Sequence, residues 1–390
     1  MSKGYVVGTD AKADCRVSVA AAGATTIDVR TKGAELVERG IRQVVEAALD
    51  AAGVSELSVT VEDFGSVDVI LVSRLEAALR LASAGSSIPV TVHPSRTPSE
   101  KDQPRRSRLY APGNNPRVLA GIEIHGADCV LLDLEDSVPL TQKAHARILV
   151  KRLLAATRFP EEVWVRINAL SCGGRDDLAE VLQGHPHGIC LPKAERAEDV
   201  CELAGELTRL EGELGIAVGS TWIMPIVETA AGVLGCEAVA AADERVAIVA
   251  FGAEDYTRDV GCARTDAALL FARSRLVAAT AVAGVQVSDT VFADVADDEG
   301  LYAESCTARS LGFDGKGAIN PRQLEPIHRA FSPTPDEVDQ ARAAVAAADE
   351  AEAAGLGVVS LDGKMVDRPV VERARRVLRT AERLSARRVK

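Results

Sequence analysis

From residue 107 to residue 321 the chain repeats one rhythm eight times: a short apolar segment, then, in most cases, a longer stretch with helical spacing of its apolar residues. The segments are SRLYAP (107–112), CVLLDLED (129–136), VWVRIN (163–168), GICLPK (188–193), TWIMPIVE (221–228), VAIVAFGAED (246–255), VSDTVF (287–292) and GAINP (317–321). Few of them alternate polar with apolar residues, so as strands they are covered on both faces, the habit of parallel sheets. Amphipathic runs such as AEDVCELAGELTRLEGELG supply the crossovers. The fold class this predicts is α/β, a (β/α)8 TIM barrel over residues 105–330.

Residues 86–104, SSIPVTVHPSRTPSEKDQP, hold four prolines and no period, and read as a linker. Before it, CRVSVAA, TTIDVRT, LSVTVED and VDVILVS read as strands, ELVERGIRQVVEAALDAAG as a helix ending at Gly53, and RLEAALRLA as a second helix. They form a small α+β domain over residues 1–85. After the barrel, residues 331–390 read as a lid or oligomerisation extension. Thr334 and Glu337 make a capping box around Pro335, and Asp362-Gly363 marks a hairpin turn in VVSLDGKMV.

A formal charge of −12 argues against nucleic acid or an anionic membrane as partner. The short cluster Arg105, Arg106 and Arg108 reads first as a solvated linker end and, as the alternative, as an anion-binding rim. The eight cysteines form no C-x-x-C pair and suit a reducing cytoplasm, and neither a signal segment nor a membrane span is legible.

Catalytic groups of such barrels stand at the C-terminal strand ends. There this sequence delivers Asp133, Glu135 and Asp136, then Arg166 and Asn168, Lys193, Glu228, Glu254 and Asp255, Asp289, and finally Asn320 and Arg322. Acids converging with few histidines and no paired cysteines favour a hard, oxygen-liganded cation such as Mg²⁺, and Glu228 and Asp255 from adjacent strands fit it best. Any one acid taken alone can equally cap the helix that follows it. Arg166, ending an apolar strand, calls for an anion, or for a buried salt bridge to Glu135 or Asp136 that would orient it.

RRSRLYAPGNNP, GADCVLLDLEDSV, RINAL, LPK, PIVETAAG, GAEDY, LGFDGKGAINPRQ and GLGVVSLDGKMVDRPVVERAR together resemble the citrate lyase β-subunit family, within the Mg²⁺-dependent acyl-thioester lyases that include malyl-CoA and citramalyl-CoA lyases. The resemblance spans residues 105 to about 380. It implies retro-Claisen cleavage of a 3-hydroxy-3-carboxyacyl thioester such as citryl-CoA or citramalyl-CoA, in a trimer or larger homo-oligomer. On that reading Glu228 and Asp255 hold Mg²⁺, Arg166 steadies the thioester enolate beside Glu135 and Asp136, and Asp367 in MVDRP is the acid/base supplied by a neighbouring subunit. An aspartate at that place is also a natural helix cap. Tyr110, Lys193, Asn320, Pro321 and Arg322 are implied for the CoA carrier.

The first domain resembles the small acyl carrier (γ) subunit of citrate lyase through VVGT, VEDFGSVDVIL and SRLEAAL, which adds a citrate lyase α subunit to the possible partners. Where that carrier attaches its prosthetic arm through a serine, this sequence has Lys12, which cannot form the phosphodiester. A free CoA thioester is therefore the expected substrate; a carrier-bound citryl substrate and a non-catalytic scaffold are the alternatives. A pyruvate-class aldolase on the same fold would use a histidine near the first barrel strand, and none of the six histidines stands there.

Overall fold

The computed structural model describes residues 4–83, 86–93, 98–353, 359–361 and 364–388. The small N-terminal unit runs β1 (Tyr5–Gly8), β2 (Cys15–Ala21), β3 (Thr26–Thr31), α1 (Glu35–Ala52), β4 (Leu57–Asp63) and α2 (Asp68–Ala82). Its sheet has the order β1-β2-β4-β3, antiparallel except for β3 against β4. Alternation in β2 buries Cys15, Val17 and Val19 and turns Arg16 and Ser18 away. Gly53 closes α1 with a left-handed backbone, as expected.

One element differs from its expectation. VDVILVS is not a strand: it is the first half of α2, which runs on through RLEAALRLA as one helix. Its apolar run has no helical period because the helix is buried on both sides, and a short apolar run of that kind cannot be told from a buried strand by pattern. The strand that completes the sheet is β1 instead.

One face of α2 lies on β2 and the other on a helix of the barrel, α4 (Lys143–Ala156). At that seam Glu76 is fully buried and its carboxylate meets Lys151 Nζ at 2.7 Å, with Arg80 and Arg152 beside it; Glu180 closes the group at 2.6 Å from Lys151.

The eight predicted barrel strands are all present: β5 (Ser107–Pro112), β6 (Cys129–Asp133), β7 (Glu162–Arg166), β8 (Gly188–Leu191), β9 (Trp222–Val227), β10 (Ile248–Phe251), β11 (Gln286–Asp289) and β12 (Gly315–Ala318). They close in sequence order, every pairing parallel, β12 returning to β5. Between them stand α3 (Pro116–Leu119), α4 (Lys143–Ala156), α5 (Gly174–Val181), α6 (Ala197–Leu214), α7 (Ala230–Ala240), α8 (Ala253–Val260), α9 (Asp266–Ala283) and α10 (Asp298–Leu311), and α11 (Leu324–Phe331) follows β12. Leu131, Trp164, Cys190, Met224 and Ile226 fill the barrel, while Val130, Val163, Ile189 and Val249 face the helices. Trp164 takes the room that Gly188 leaves: a Cβ there would sit 2.3 Å from the indole.

The Arg105–Arg108 cluster is not a solvated linker end. Arg105 and Arg108 are each 1% exposed, Arg105 pairs with Glu162 at 2.6 Å beneath Trp164, and Arg106 pairs with Asp128 at 2.8 Å. The strand begins inside the protein, so its arginines are desolvated with it.

Beyond the barrel, α12 (Pro335–Ala353) starts on the capping box, Glu337 N–H donating to Thr334 Oγ1 at 3.2 Å and Thr334 N–H to Glu337 Oε2 at 2.8 Å. A hairpin, β13 (Val359–Leu361) and β14 (Lys364–Val366), leads to α13 (Arg368–Arg388), which packs on α12 through Ala341, Ala344, Val371 and Ala374. The Asp362-Gly363 turn lies outside the described residues. Among the described residues, no helix is long and apolar enough to cross a membrane.

Candidate active site

At the C-terminal mouth of the barrel a cavity of about 300 Å³ opens, lined by Arg108, Tyr110, Arg166, Glu228 and Asp255 among others. Three strand ends build its charged wall. Asp133 closes β6 and Arg166 closes β7, so the parallel register places them side by side. Arg166 Nε and Nη2 donate to the two Asp133 oxygens at 2.7 and 2.8 Å, a bidentate pair. Glu135 Oε2 lies 3.0 Å from Arg166 Nη1, close enough to pair but off the hydrogen-bond line. The partner is thus Asp133 together with Glu135, and not Asp136, which is exposed. Burial alone would raise the Asp133 carboxyl, but the guanidinium and the Ser137 hydroxyl hold it below the usual range. Burial likewise works against the Arg166 charge, and Asp133 outweighs it, so Arg166 stays charged. Its guanidinium stands 5.5 Å from the centre of the Tyr110 ring, within cation–π reach.

Glu228 follows β9 and is buried. Its Oε1 accepts the Lys193 N–H at 2.8 Å, made possible by a left-handed backbone at Lys193 (φ 52°). Burial, with Asp255 and Glu135 nearby, pushes its carboxyl up to about 7. Gly252, which ends the β10 run, is required by Glu228: a Cβ there would fall 2.5 Å from Glu228 Oε2. Asp255 sits one turn later in α8, half-buried, its carboxylate turned to the exposed Arg258. Of the other charges after β10, Glu254 pairs with Arg264 at 2.7 Å, and Asp259 caps α7 by accepting the Ala230 N–H at 2.8 Å.

The donor set suits a hard cation. Two carboxylates, one just after β9 and one in the helix that follows the neighbouring β10, face one cavity; Glu228 is buried with its charge opposed, and a divalent ion would remove that opposition. Among the described residues no three His, Cys, Asp or Glu side chains form a ready cage, and magnesium asks for no more than one or two carboxylates besides water and substrate oxygens.

The remaining expected residues are placed differently. Lys193 Nζ contacts Glu135, which joins it to the Arg166 group rather than leaving it free for a ligand. Asn320 Oδ1 accepts the Arg322 N–H at 3.0 Å and starts the turn through Pro321, while the Arg322 side chain is exposed. Asp367 Oδ1 accepts the Val370 N–H at 3.2 Å and caps α13, and it does not line the cavity of its own chain. Asn168 is buried between Asp177 and the Leu134 carbonyl and holds the β6 and β7 ends together.

Sequence reasoning missed Ser137, Thr290 and Gly252 as cavity residues, and it named Arg108 only in a cluster read first as a solvated linker end, with an anion-binding rim as the alternative. Arg108 was legible as an inward position, because it precedes Tyr110 by two on one strand. Thr290, whose Oγ1 accepts the Ala253 N–H at 3.1 Å, carries no signal in its own segment.

Fold and site together define a (β/α)8 barrel of the enzyme type, with charged groups gathered at the C-terminal mouth. Residues 106–321 match the family model described as HpcH/HpaI aldolase/citrate lyase, and residues 2–82 match that of the malonate decarboxylase delta subunit, an acyl carrier protein. The citrate lyase subunit beta of Escherichia coli is 42% identical over 286 residues, 72% of this chain and 95% of that protein. The human mitochondrial citramalyl-CoA lyase is 32% identical over 326 residues, 78% of this chain and 94% of the relative. Among solved structures, CitE from Mycobacterium tuberculosis in complex with magnesium, acetoacetate and coenzyme A superposes with a TM-score of 0.59 at 30% identity, covering 73% of this chain and all of that one. The chain belongs to the HpcH/HpaI aldolase/citrate lyase family and carries an acyl-carrier-like domain in front of the lyase barrel.

Proposed function

We propose that the chain is a Mg²⁺-dependent carbon–carbon lyase that cleaves a 3-hydroxy-3-carboxyacyl-CoA of the citryl or citramalyl type into a 2-keto acid and acetyl-CoA. The observation that carries this reading is one cavity holding two carboxylates, the buried Glu228 and the half-buried Asp255, together with a largely covered guanidinium, Arg166, that is paired with Asp133 and Glu135. When bound there, magnesium supplies positive charge to the hydroxyl and carboxylate oxygens of the departing keto acid.

Cleavage requires loss of the hydroxyl proton, breakage of the bond between the hydroxyl-bearing carbon and the thioester methylene, and delivery of that electron pair to the thioester as an enolate, which then takes up a proton. Arg166 stands ready for the enolate oxygen. Asp133 and Glu135 hold its plane, and a charged donor that need not reorient stabilises developing charge better than a mobile one. Asp367 of a neighbouring copy serves as the proton acceptor and donor, which makes the working species a homo-oligomer. Tyr110 covers the guanidinium face, and Lys193 fixes Glu135. The cavity takes the acyl part, and the CoA portion extends over the rim past Asn320, Pro321 and Arg322.

Lys12 lies exposed on the turn between β1 and β2, the place of the carrier's attachment serine, and its amine cannot hold the prosthetic arm. The substrate is accordingly free CoA thioester, and the first domain acts as a fixed structural module. The eight cysteines are free thiols, in keeping with a cytoplasmic setting.

The test is keto-acid release by purified protein with Mg²⁺ and, separately, citryl-CoA, citramalyl-CoA and malyl-CoA. Turnover of at least one, lost in Asp255→Ala, is expected. Silence with all three would move the reading to a carrier-dependent subunit or a scaffold.

A further inference from the structure

The cavity floor holds a second guanidinium that the reaction above does not use. Arg108 precedes Tyr110 by two residues on β5, so it points into the barrel one layer deeper, and it is 1% exposed. Only Nη2 has a partner, the Asp289 backbone carbonyl at 3.2 Å; among the described residues Nε and Nη1 have none. A buried guanidinium without hydrogen bonds or counter-charge is costly, so this one is placed for something that arrives.

Its neighbours do not neutralise it. Cys129 and Cys190 stand with it in the barrel, and burial raises both thiols, so they stay neutral. Burial pushes Tyr110 up to about 12, with the same consequence. The Asp289 carboxylate faces away, held by Lys316 at 2.9 Å and Arg273 at 3.1 Å. Asp133 is committed to Arg166. Glu228 and Asp255 would balance the divalent ion of the proposed reaction. One positive charge is left over at the floor of a cavity that admits a small acyl group.

We propose that Arg108 is a specificity-determining residue that receives a second carboxylate on the substrate, the one at the end of a carboxymethyl arm on the reacting carbon. This rests on the lyase reading above and narrows it to substrates whose keto-acid product is a dicarboxylate. Citryl-CoA carries such an arm, and citramalyl-CoA has a methyl group in its place. The methyl would leave both free nitrogens of Arg108 unpaired, the situation that lets a polar site reject an analogue strongly.

The experiment compares kcat/KM for citryl-CoA and citramalyl-CoA in the full-length Mg²⁺ protein and in Arg108→Met, which keeps side-chain length and removes the charge. The wild type is expected to prefer citryl-CoA, and the variant to lose on the order of 100-fold with citryl-CoA while citramalyl-CoA stays within about threefold. An equal fall with both substrates, no change with either, or a wild-type preference for citramalyl-CoA would overturn the assignment.

Calorimetry of wild-type Mg²⁺ protein with oxaloacetate and with pyruvate reads the same contact without turnover, and decides the matter if the variant fails to fold. Oxaloacetate should bind at least about tenfold more tightly; equal affinity would remove Arg108 from the role. Oxaloacetate preference in a protein that cleaves neither thioester would leave the anion site standing and remove the lyase reading.

Discussion

Glu228 links site chemistry to protons. Its buried carboxyl is raised from 4.5 to about 7 by desolvation and by the nearby acids Asp255 and Glu135. A carboxyl raised in the folded state contributes stability in full below its unfolded value of 4.5, and that contribution is lost as pH rises through about 7. The proposed metal would work in the opposite sense, because it would bind the ionised form and must displace the proton below that value. The expected outcome is a larger Mg²⁺-induced rise in Tm at pH 8 than at pH 6, with proton release on binding in between. Glu228→Gln should abolish that pH dependence. A Tm rise of the same size at both pH values would show that no proton competes for this site. The choice of Glu228 and Asp255 was open to reasoning from the sequence because both follow apolar strands. The elevation of Glu228 was not, since it depends on Gly252 letting the carboxyl sit in a desolvated niche from the next strand.

At the scale of elements, a pattern reads well where one face differs from the other and poorly where both are covered. The barrel strands were legible because eight of them repeat with helices between, and the capping box of α12 because Thr334 and Glu337 satisfy each other locally. The start of α2 was not legible, since burial on two sides erases the period. α13 poses the converse problem: Asp367 caps it within its own chain, yet the proposed chemistry needs that carboxylate at a neighbour's cavity. Co-expression of Asp255→Ala with Asp367→Asn separates the two roles, and asparagine preserves the cap. Each variant alone is expected to be inactive. Mixed oligomers should regain about a quarter of wild-type activity, because an intact cavity then meets an intact Asp367 from the next subunit in that share of sites. Full inactivity of the mixture would place any role of Asp367 within its own chain.

At the scale of the whole molecule, the question is whether a carrier-like domain in front of a lyase still moves. A carrier that delivers an arm must release its docking surface in each cycle. Here the docking helix α2 is apolar on two sides, and the seam contains Glu76 and Lys151, both fully buried and 2.7 Å apart, with Arg80, Arg152 and Glu180 completing the group. Separating the domains would expose the apolar faces and reorganise five charges. The segment after α2 is also tied down where it is described: His93 N–H donates to the Ala155 carbonyl at 2.9 Å, and Trp222 Nε1 donates to the Ser99 carbonyl at 3.2 Å. None of these pairings was legible in the sequence, because Glu76 and Lys151 are 75 residues apart and each lies on a helix that looks self-sufficient. A domain fixed in this way fits the proposal that Lys12 holds no prosthetic arm, since an arm that is not carried requires no swing. Wild-type protein is therefore expected to unfold in one calorimetric transition with residues 86–93 and 98–104 protected from protease. Glu76→Ala leaves Lys151, Arg80 and Arg152 to share Glu180 alone in the seam, which costs about 3–5 kcal/mol, and it should split the transition and open those residues to cleavage. Lys151→Met and Arg152→Met together with Glu76→Leu replace these buried charges by apolar volume, leave Arg80 paired with Glu180, and should restore a single transition, because buried ion pairs hold little net stability over well-packed hydrophobic residues. If Glu76→Ala left both the transition and the cleavage pattern of the wild type unchanged, the seam would not be what holds the domains together, and a mobile carrier domain would again be the better account.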